Sequence, residues 1–364
     1  MKATKIDSLT SLRFFAAAAI ALFHASITFP ILAPARQFAL TQGVAIFFVL
    51  SGFVLSHAHK SIAEPGETGR FYASRIARIW PLHAITAMIA IWLAHIDGAV
   101  YAPVALIANA LLLQAWFPNE SVYFSANGVS WTLSDEAFFY ALFPVLATIR
   151  RRPLVLFGTF SLAVLMLSAF RGFDRPWMLW SATVSPVTRL NEFMLGIVIY
   201  GIYDSRLRQI RISRLRATAL ELGATMLCVW TMYFGTLRNI GMLPVAFWKP
   251  INIWISNTGT GIPAALLILA CAMQRGCISR AISARPLVFL GEISFAIYMT
   301  HELVLHAMEQ RHEQLSTLEQ GWQVTMFVVA TLAISAFSHI CIERPIQQRL
   351  RPLILRLFPH ASGA

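Results

Sequence analysis

The segment TSLRFFAAAAIALFHASITFP occupies residues 10–30 and indicates that the chain enters a lipid bilayer. About 20 helical residues cross a hydrocarbon core of roughly 30 Å. Composition agrees: 57% of the 364 residues are hydrophobic and 13% are charged, against about 45–50% and about 25% in soluble domains. The segment has no small-residue cleavage site after Ala25. We therefore expect a polytopic membrane protein that keeps this segment as its first span.

Ten further apolar segments follow the first. They lie at approximately 42–58, 80–96, 101–117, 130–149, 153–170, 181–203, 217–235, 255–274, 286–307 and 321–342. No internal repeat, low-complexity tract or stretch long enough for a soluble domain interrupts them. The sequence thus predicts an all-α membrane helical bundle in which one domain fills residues 1–364. Its spans lie within roughly 10–342, a basic tail occupies 343–364, and no soluble domain is fused to it.

The formal charge of +12, from 29 Lys and Arg against 17 Asp and Glu, is better explained by topology than by a nucleic-acid partner. Cytoplasmic loops of membrane proteins collect Lys and Arg, and 22 of the 29 fall in six regions. These regions are Lys2 to Arg13, Lys60 to Arg78, Arg150 to Arg152, Arg206 to Arg216, Arg275 to Arg285, and Arg344 to Arg356. The rule places both termini in the cytoplasm.

Successive basic regions are separated by two apolar segments, except that three lie between Arg78 and Arg150. Three full crossings would put the Arg150 block outside. We therefore expect ten transmembrane helices plus one re-entrant or non-spanning piece between residues 80 and 149. Irregular backbone at membrane depth is tolerated where it lines a cavity, so this region is predicted to contain one.

Two ionisable residues share one face of the first span. Arg13 and His24 are eleven residues apart, which is about three helical turns and about 16 Å of rise. Arg13 is then expected at the cytoplasmic surface and His24 near the midplane. An ionisable side chain inside a span is by default a candidate for function. The alternative is a histidine whose hydrogen bonds are satisfied by a neighbouring helix.

Two other polar groups lie at the edges of apolar segments. Arg75 and Arg78 are three residues apart on one helical face, where guanidinium groups bind phosphate well; two ordinary positive-inside arginines are the alternative. Asp135 and Glu136 are adjacent, so they point in different directions and we expect only one to face a cavity. The alternative for these carboxylates is an exposed helix start with Asp135 as N-cap.

The remaining candidates favour structural roles. Arg189 and Glu192 have the spacing of an intrahelical ion pair. His301 and His306 are five apart and diverge by about 140°, so they cannot share a metal ion on one helix, and we expect no metal site. The cysteines, which show no zinc or redox spacing, are Cys228, Cys271, Cys277 and Cys341.

Seven short motifs occur in order along nearly the whole chain. They are Arg13 to His24, Gly43 to Phe53, Arg75 to Pro81, Trp131 to Glu136 with Phe139, Tyr140 and Pro144, Glu192 to Gly196, Ser294-Phe295 with Tyr298 to His301, and Ile342 to Pro345. Together they resemble the bacterial membrane-bound acyltransferase family 3, which O-acylates surface polysaccharides and other sugars. Thr132 stands where the family usually has serine, and its hydroxyl is preserved.

The resemblance implies transfer of an acyl group, most often acetyl from acetyl-CoA, to a carbohydrate hydroxyl of an exopolysaccharide, O-antigen or lipid-linked sugar at the inner membrane. It implies acyl-CoA as a donor substrate and no permanently bound cofactor. A sugar hydroxyl needs a general base, for which His24 is the candidate, with Glu136 orienting or charge-stabilising the imidazole. Arg75 and Arg78 are the candidates for the phosphates of CoA, with Arg13 as a further contact.

Two other functions fit part of the pattern. A proton-coupled secondary transporter would use His24 and Glu136 as a proton relay and the arginines as an anion site, although transporters commonly show inverted repeats and this chain shows none. A structural subunit of a polysaccharide-export assembly would leave His24 near the midplane without a role.

Overall fold

A computed structural model describes residues 5–60, 62, 66–148, 176–236 and 257–357. Over these ranges the chain is helical and contains no strand, which confirms the predicted all-α class. The helices are α1 Asp7–Thr28, α2 Gly43–Ala58, α3 Glu67–Ile96, α4 Pro103–Ala110, α5 Glu120–Tyr123, α6 Trp131–Thr148, α7 Pro176–Thr183, α8 Pro186–Ile202, α9 Arg214–Thr236, α10 Gly261–Ala272, α11 Cys277–Ile282, α12 Arg285–Glu292, α13 Ser294–Glu309, α14 His312–Leu315, α15 Gln320–Ser338 and α16 Arg344–Leu357. The apolar segment at 153–170 and the Arg150 to Arg152 block lie outside the described residues.

Five of the described helices are long and apolar enough to cross a membrane. They are Asp7–Thr28, Leu40–Ala58, Glu67–Ile96, Arg214–Gly235 and Gln320–Ile354. Helices α12 and α13 add a sixth if they count as one span, although they are bent by 63° at their junction. The expected ten spans are therefore not confirmed. Other segments are shorter than a full crossing: α10 has 12 residues and α8 has 17.

The stretch between α3 and α6, where the basic residues predict a non-spanning piece, contains a helix much shorter than a membrane span. Its helix α4 has eight residues, or about 12 Å of rise, against roughly 30 Å of hydrocarbon core. Short turns at Gln114–Trp116 and Gly128–Ser130 follow it. Two buried side chains satisfy the irregular backbone here: Asn109 donates to the carbonyl oxygen of Ser125, and Gln114 donates to that of Ser130.

Helix α1 lies at the centre of the described bundle. Its alanine-rich middle carries no helix breaker, and the helix ends before Pro30. It packs against α2, α12 and α13, and Ala16, Ala17 and Ala25 are almost completely buried at these contacts. Small side chains allow helix axes to approach closely. Since Arg13 and His24 belong to α1, the central position of this helix places both inside the bundle.

Helices α2 and α8 form the most extensive helix pair, and two glycines make their approach possible. A Cβ atom on Gly52 would collide with the carbonyl oxygen of Phe193, and one on Gly196 would collide with that of Val49. The two backbones are therefore in direct contact. Phe193 also stacks on Phe139 of α6, with ring centroids 5.1 Å apart. This packing fixes the position of α2, another part of which lines the candidate active site.

Candidate active site

Two adjoining cavities, which we call the arginine cavities, bring together four of the residues predicted from sequence. Each has a volume of about 40 Å³. Their walls share Arg13 of α1, Arg78 of α3, and Glu136 and Tyr140 of α6, and Arg75 lines one of them. Arg13, Arg78 and Glu136 are half-buried.

Electrostatics in the arginine cavities are dominated by positive charge. Glu136 accepts a hydrogen bond of 3.1 Å from the Tyr140 hydroxyl and is attracted to the guanidinium groups of Arg13, Arg78 and Arg75. The Arg75 guanidinium also lies 6.0 Å from the centre of the Tyr140 ring. Three cations against one carboxylate leave a surplus of two positive charges. Such a site favours an anionic ligand, and guanidinium groups suit phosphate in particular.

Asp135 and Glu136 diverge as their adjacent positions predict. Glu136 lines both arginine cavities, whereas Asp135 lines neither and is fully buried. Asp135 instead interacts electrostatically with Arg189 and Glu192 of α8. Arg189 and Glu192 form the predicted intrahelical ion pair, with Nη1 and Oε1 3.1 Å apart. The expectation that only one of the two carboxylates faces a cavity is confirmed for these cavities.

His24 lies in a separate cluster with two residues of α13. Its Nδ1 is 2.8 Å from Nε2 of His301, and its Nε2 is 3.4 Å from Oε1 of Glu302. From the sequence, Glu136 is the carboxylate expected beside His24. In the part of the chain that the structure describes, the carboxylate within 4 Å of His24 is that of Glu302, and Glu136 faces the arginines.

The loop before α6 fixes the position of this histidine cluster. Asn127 donates to the carbonyl oxygen of Met299 at 2.8 Å, and the Tyr298 hydroxyl donates to that of Val129 at 2.9 Å. These two bonds tie the loop to α13, which carries His301 and Glu302. A Cβ on Gly128 would lie 2.9 Å from Oε2 of Glu302, so the loop also limits where this carboxylate can lie.

A third cavity, which we call the histidine cavity, has a volume of about 470 Å³. His24 and Glu302 lie in its wall together with Gly128, Trp131 and Arg189. Val44 and Tyr298 line both this cavity and one arginine cavity. The two regions are therefore separated by about one side chain.

The three side chains of the histidine cluster also offer the kinds of atom that bind a metal. One ligand atom from each of His24, His301 and Glu302 lies within 4.8 Å of the others. Two zinc ligands at about 2.0–2.1 Å in tetrahedral geometry would be roughly 3.3 Å apart. The 2.8 Å between the two histidine nitrogens matches a hydrogen bond better. The spacing of His301 and His306 led us to expect no metal site. That spacing concerns one helix, so it says nothing about a cluster formed by residues of two helices.

His301 and Glu302 are absent from the site residues predicted from the sequence. Both are polar residues in an otherwise apolar segment, which is a signal of function in a span. Helical spacing in this segment relates His301 only to His306 on the same helix. His306 instead pairs with Asp97 at the end of α3. The relevant partner of His301 comes from α1, and periodicity within one helix cannot reveal it.

The family described as "Acyltransferase domain" matches residues 6–340. The chain belongs to the acyltransferase 3 family. This acyltransferase is 28% identical to acyltransferase MdmB of Streptomyces mycarofaciens, over 96% of this chain and 93% of that protein. It is 27% identical to the exopolysaccharide production protein ExoZ of Rhizobium meliloti, over 85% and 90% of the two chains.

The O-acetyltransferase OatA of Staphylococcus aureus is 23% identical to this acyltransferase, over 84% of this chain and 52% of OatA. No solved structure matches. These relatives and the family establish an enzyme that transfers acyl groups, so the family resemblance drawn from the seven motifs is confirmed. The finding favours the enzyme over the transporter and the structural subunit.

Proposed function

We propose that this acyltransferase moves an acyl group, acetyl in the simplest case, from acyl-CoA to a hydroxyl of a carbohydrate such as an exopolysaccharide, an O-antigen or a lipid-linked sugar. The observation that carries the proposal is the pair of adjoining regions along α1. One is a positively charged pair of cavities at Arg13, and the other is a larger cavity at His24. The names of ExoZ and OatA support a polysaccharide acceptor and an acetyl donor.

The positive charge of the arginine cavities suits the donor. The phosphates of CoA are anionic, and Arg75 and Arg78 present two guanidinium groups from one face of α3. Arg13 adds a third cation, and Glu136 with Tyr140 keeps this group of cations together. The positive-inside rule places this end of α1 in the cytoplasm, where acyl-CoA is available.

The histidine cavity suits the acceptor. It lies about three turns further along α1, toward the opposite face of the bilayer. Its volume of about 470 Å³ is within the usual range for small-ligand sites of about 300–1,000 Å³. Trp131 in its wall offers an aromatic surface to a sugar ring. A glycan presented from the periplasmic leaflet would reach His24 through this cavity.

Transfer requires one proton to move twice. The acceptor hydroxyl gives its proton to the imidazole of His24, while its oxygen forms a bond to the thioester carbonyl carbon. The carbon–sulfur bond breaks, and the departing thiolate takes the proton from the imidazolium. The products are an ester and CoA with a free thiol. Glu302 stabilises the imidazolium while it exists.

The test uses purified protein in lipid nanodiscs with isotopically labelled acetyl-CoA, and mass spectrometry of surface glycans from a deletion strain. We expect label to pass to a glycan acceptor and one acetyl mass to disappear from the deletion strain. Acetyl-CoA added without acceptor separates direct transfer from transfer through an acyl-enzyme, since a stable acetyl-protein adduct would indicate an acyl-enzyme. An unchanged glycan profile with no transfer in nanodiscs would contradict the proposal.

A further inference from the structure

Three groups from two helices form a continuous chain of hydrogen bonds that ends at His24. Nδ1 of His301 lies 3.1 Å from the carbonyl oxygen of Ile297, one turn earlier on α13. Nε2 of His301 lies 2.8 Å from Nδ1 of His24. The two imidazole planes are within 11° of parallel, and their centroids are 5.1 Å apart.

The carbonyl at one end favours one arrangement of the hydrogens in this chain. A carbonyl oxygen only accepts, so Nδ1 of His301 must carry a hydrogen. The ring of His301 is fully buried, and no carboxylate in the described ranges pairs with it within 4 Å, so a charged imidazole would be costly. Its Nε2 therefore has a lone pair, which accepts the hydrogen on Nδ1 of His24. That assignment leaves the lone pair of His24 on Nε2.

We propose that His301 is a positioning residue that holds His24 in the tautomer with its hydrogen on Nδ1 and its basic nitrogen, Nε2, directed at the acceptor hydroxyl. The proposal rests on the proposed function, because it assigns His24 as the base of acyl transfer. It adds which nitrogen acts and which residue selects it. Nε2 of His24 is the nitrogen near Glu302, and His24 and Glu302 both line the histidine cavity.

His301 and Glu302 each perform one of the two functions that a single carboxylate performs in a serine-protease triad. His301 touches Nδ1 and selects the tautomer without adding charge. Glu302 lies at Nε2, where the proton from the acceptor arrives, and supplies the negative charge that stabilises the imidazolium. The hydrogen on Nδ1 stays between the two histidines throughout, so His301 neither gains nor loses a proton.

Substitutions of His301 separate this role from packing. His301→Gln keeps a hydrogen-bond acceptor in place of Nε2, whereas His301→Leu has a similar volume and no acceptor. We expect His301→Leu to lower kcat by about 10²–10⁴-fold with KM for acetyl-CoA unchanged, and His301→Gln to stay within about tenfold of the wild type. Melting temperatures of both variants are measured beside the rates.

A spectroscopic measurement tests the tautomer without relying on activity. In wild-type protein with ¹⁵N-labelled histidine in bilayers, the His24 signals are assigned by their loss in His24→Asn. Nδ1 is expected to be protonated and Nε2 unprotonated. His301→Gln should keep this pattern, and His301→Leu should lose it.

Several results would overturn the proposal. These are a protonated Nε2 on wild-type His24, a wild-type kcat in His301→Leu, equal losses in the Leu and Gln variants, or activity that EDTA removes and Zn²⁺ restores. Failure of the proposed function is distinct, since the wild type itself would then transfer no acetyl group while the tautomer pattern remained.

Discussion

Oε1 of Glu302 lies 3.4 Å from Nε2 of His24, and the two side chains come from α13 and α1, 278 residues apart in sequence. Both are partly accessible, with side-chain exposures of 31% and 22%, so an acceptor molecule can reach them from the histidine cavity. A carboxylate in this position stabilises a positive charge on the imidazole. The two acidic residues of the site thus have different neighbours: His24 lies beside Glu302, and the arginines lie beside Glu136.

His24 is expected to be indispensable to transfer. His24→Asn keeps a polar side chain of smaller size and removes the base, so kcat should fall by about 10²–10⁴-fold. His95→Asn at the exposed end of α3 is the matched control and should leave kcat unchanged. Initial rates with labelled acetyl-CoA measure both. A correctly inserted His24→Asn protein that acylates at the wild-type rate would exclude the base.

Glu302→Gln and Glu136→Gln should affect different kinetic constants. Opposite charges about 4 Å apart interact by about 4 kcal/mol at an effective dielectric of 20, and solvent exposure reduces this value. We therefore expect Glu302→Gln to lower kcat by about 10- to 10³-fold with KM for the donor preserved.

Glu136→Gln removes the carboxylate from the group of arginines and should change KM for acetyl-CoA more than kcat. Steady-state kinetics with the donor varied at saturating acceptor separate the two outcomes. If Glu136→Gln lowers kcat alone and Glu302→Gln has no effect, then Glu136 is the partner of the imidazole, as first expected from sequence.

Substitution of Gly128 should displace the carboxylate of Glu302 without replacing that residue. A Cβ at this position would lie 2.9 Å from Oε2 of Glu302, and the flexible carboxylate can swing away. Gly128→Ala should therefore keep the melting temperature and lower kcat, because the charge moves from His24. Both are measured on one preparation in detergent. A wild-type kcat together with an unchanged melting temperature would show that the position of Glu302 has no role in the reaction.

Much of the fold follows from composition and charge. The apolar segment at 10–30 corresponds to α1, and the stretch between Arg78 and Arg150, where one non-spanning piece is expected, contains the eight-residue helix α4. The number of spans cannot be predicted from composition and charge, because an apolar run shows that a segment is buried but not that it crosses the bilayer. The bend of 63° between α12 and α13 falls within a segment that sequence predicted to be continuous, 286–307.

The sequence identifies the site residues on separate helical faces, and the one pairing between helices that it predicts, His24 with Glu136, differs from the observed pairing of His24 with Glu302. Periodicity on α1 and α3 identified Arg13, Arg75 and Arg78 as neighbours of the membrane surface, and all three line the arginine cavities. The choice between Glu136 and Glu302 as partner of His24 depends on how α1, α6 and α13 pack. Packing of distant helices is tertiary information, which spacing within one helix does not contain.

The contact between α2 and α8 should not tolerate a larger residue. Gly196→Ala places a Cβ against the carbonyl oxygen of Val49, which belongs to the backbone and cannot swing away. Overpacking of this kind costs about 1–3 kcal/mol or more. Gly223→Ala on α9 is the matched control, because no atom lies within 4 Å of its Cβ position. We expect a lower melting temperature for Gly196→Ala and an equal or higher one for Gly223→Ala; equal values in the two variants would contradict the close approach.

The arginine pair on α3 should control donor binding. A hydrogen bond to a charged group contributes about 1.5–3 kcal/mol, so Arg75→Ala and Arg78→Ala should each raise Kd for acetyl-CoA by about 10- to 100-fold. The attraction is electrostatic and weakens as salt screens the phosphates. The salt dependence of Kd should therefore be shallower in the double variant than in the wild type.

Arg211→Ala on the exposed surface removes one cation from another basic region and serves as the matched control. Isothermal titration of nanodisc-embedded protein with acetyl-CoA, and in parallel with 3′-dephospho-CoA, measures these affinities at two ionic strengths. An unchanged Kd in the Arg75→Ala, Arg78→Ala double variant would remove both residues from the donor site. Loss of the preference for the 3′-phosphate in one single variant would instead assign that phosphate to the substituted arginine.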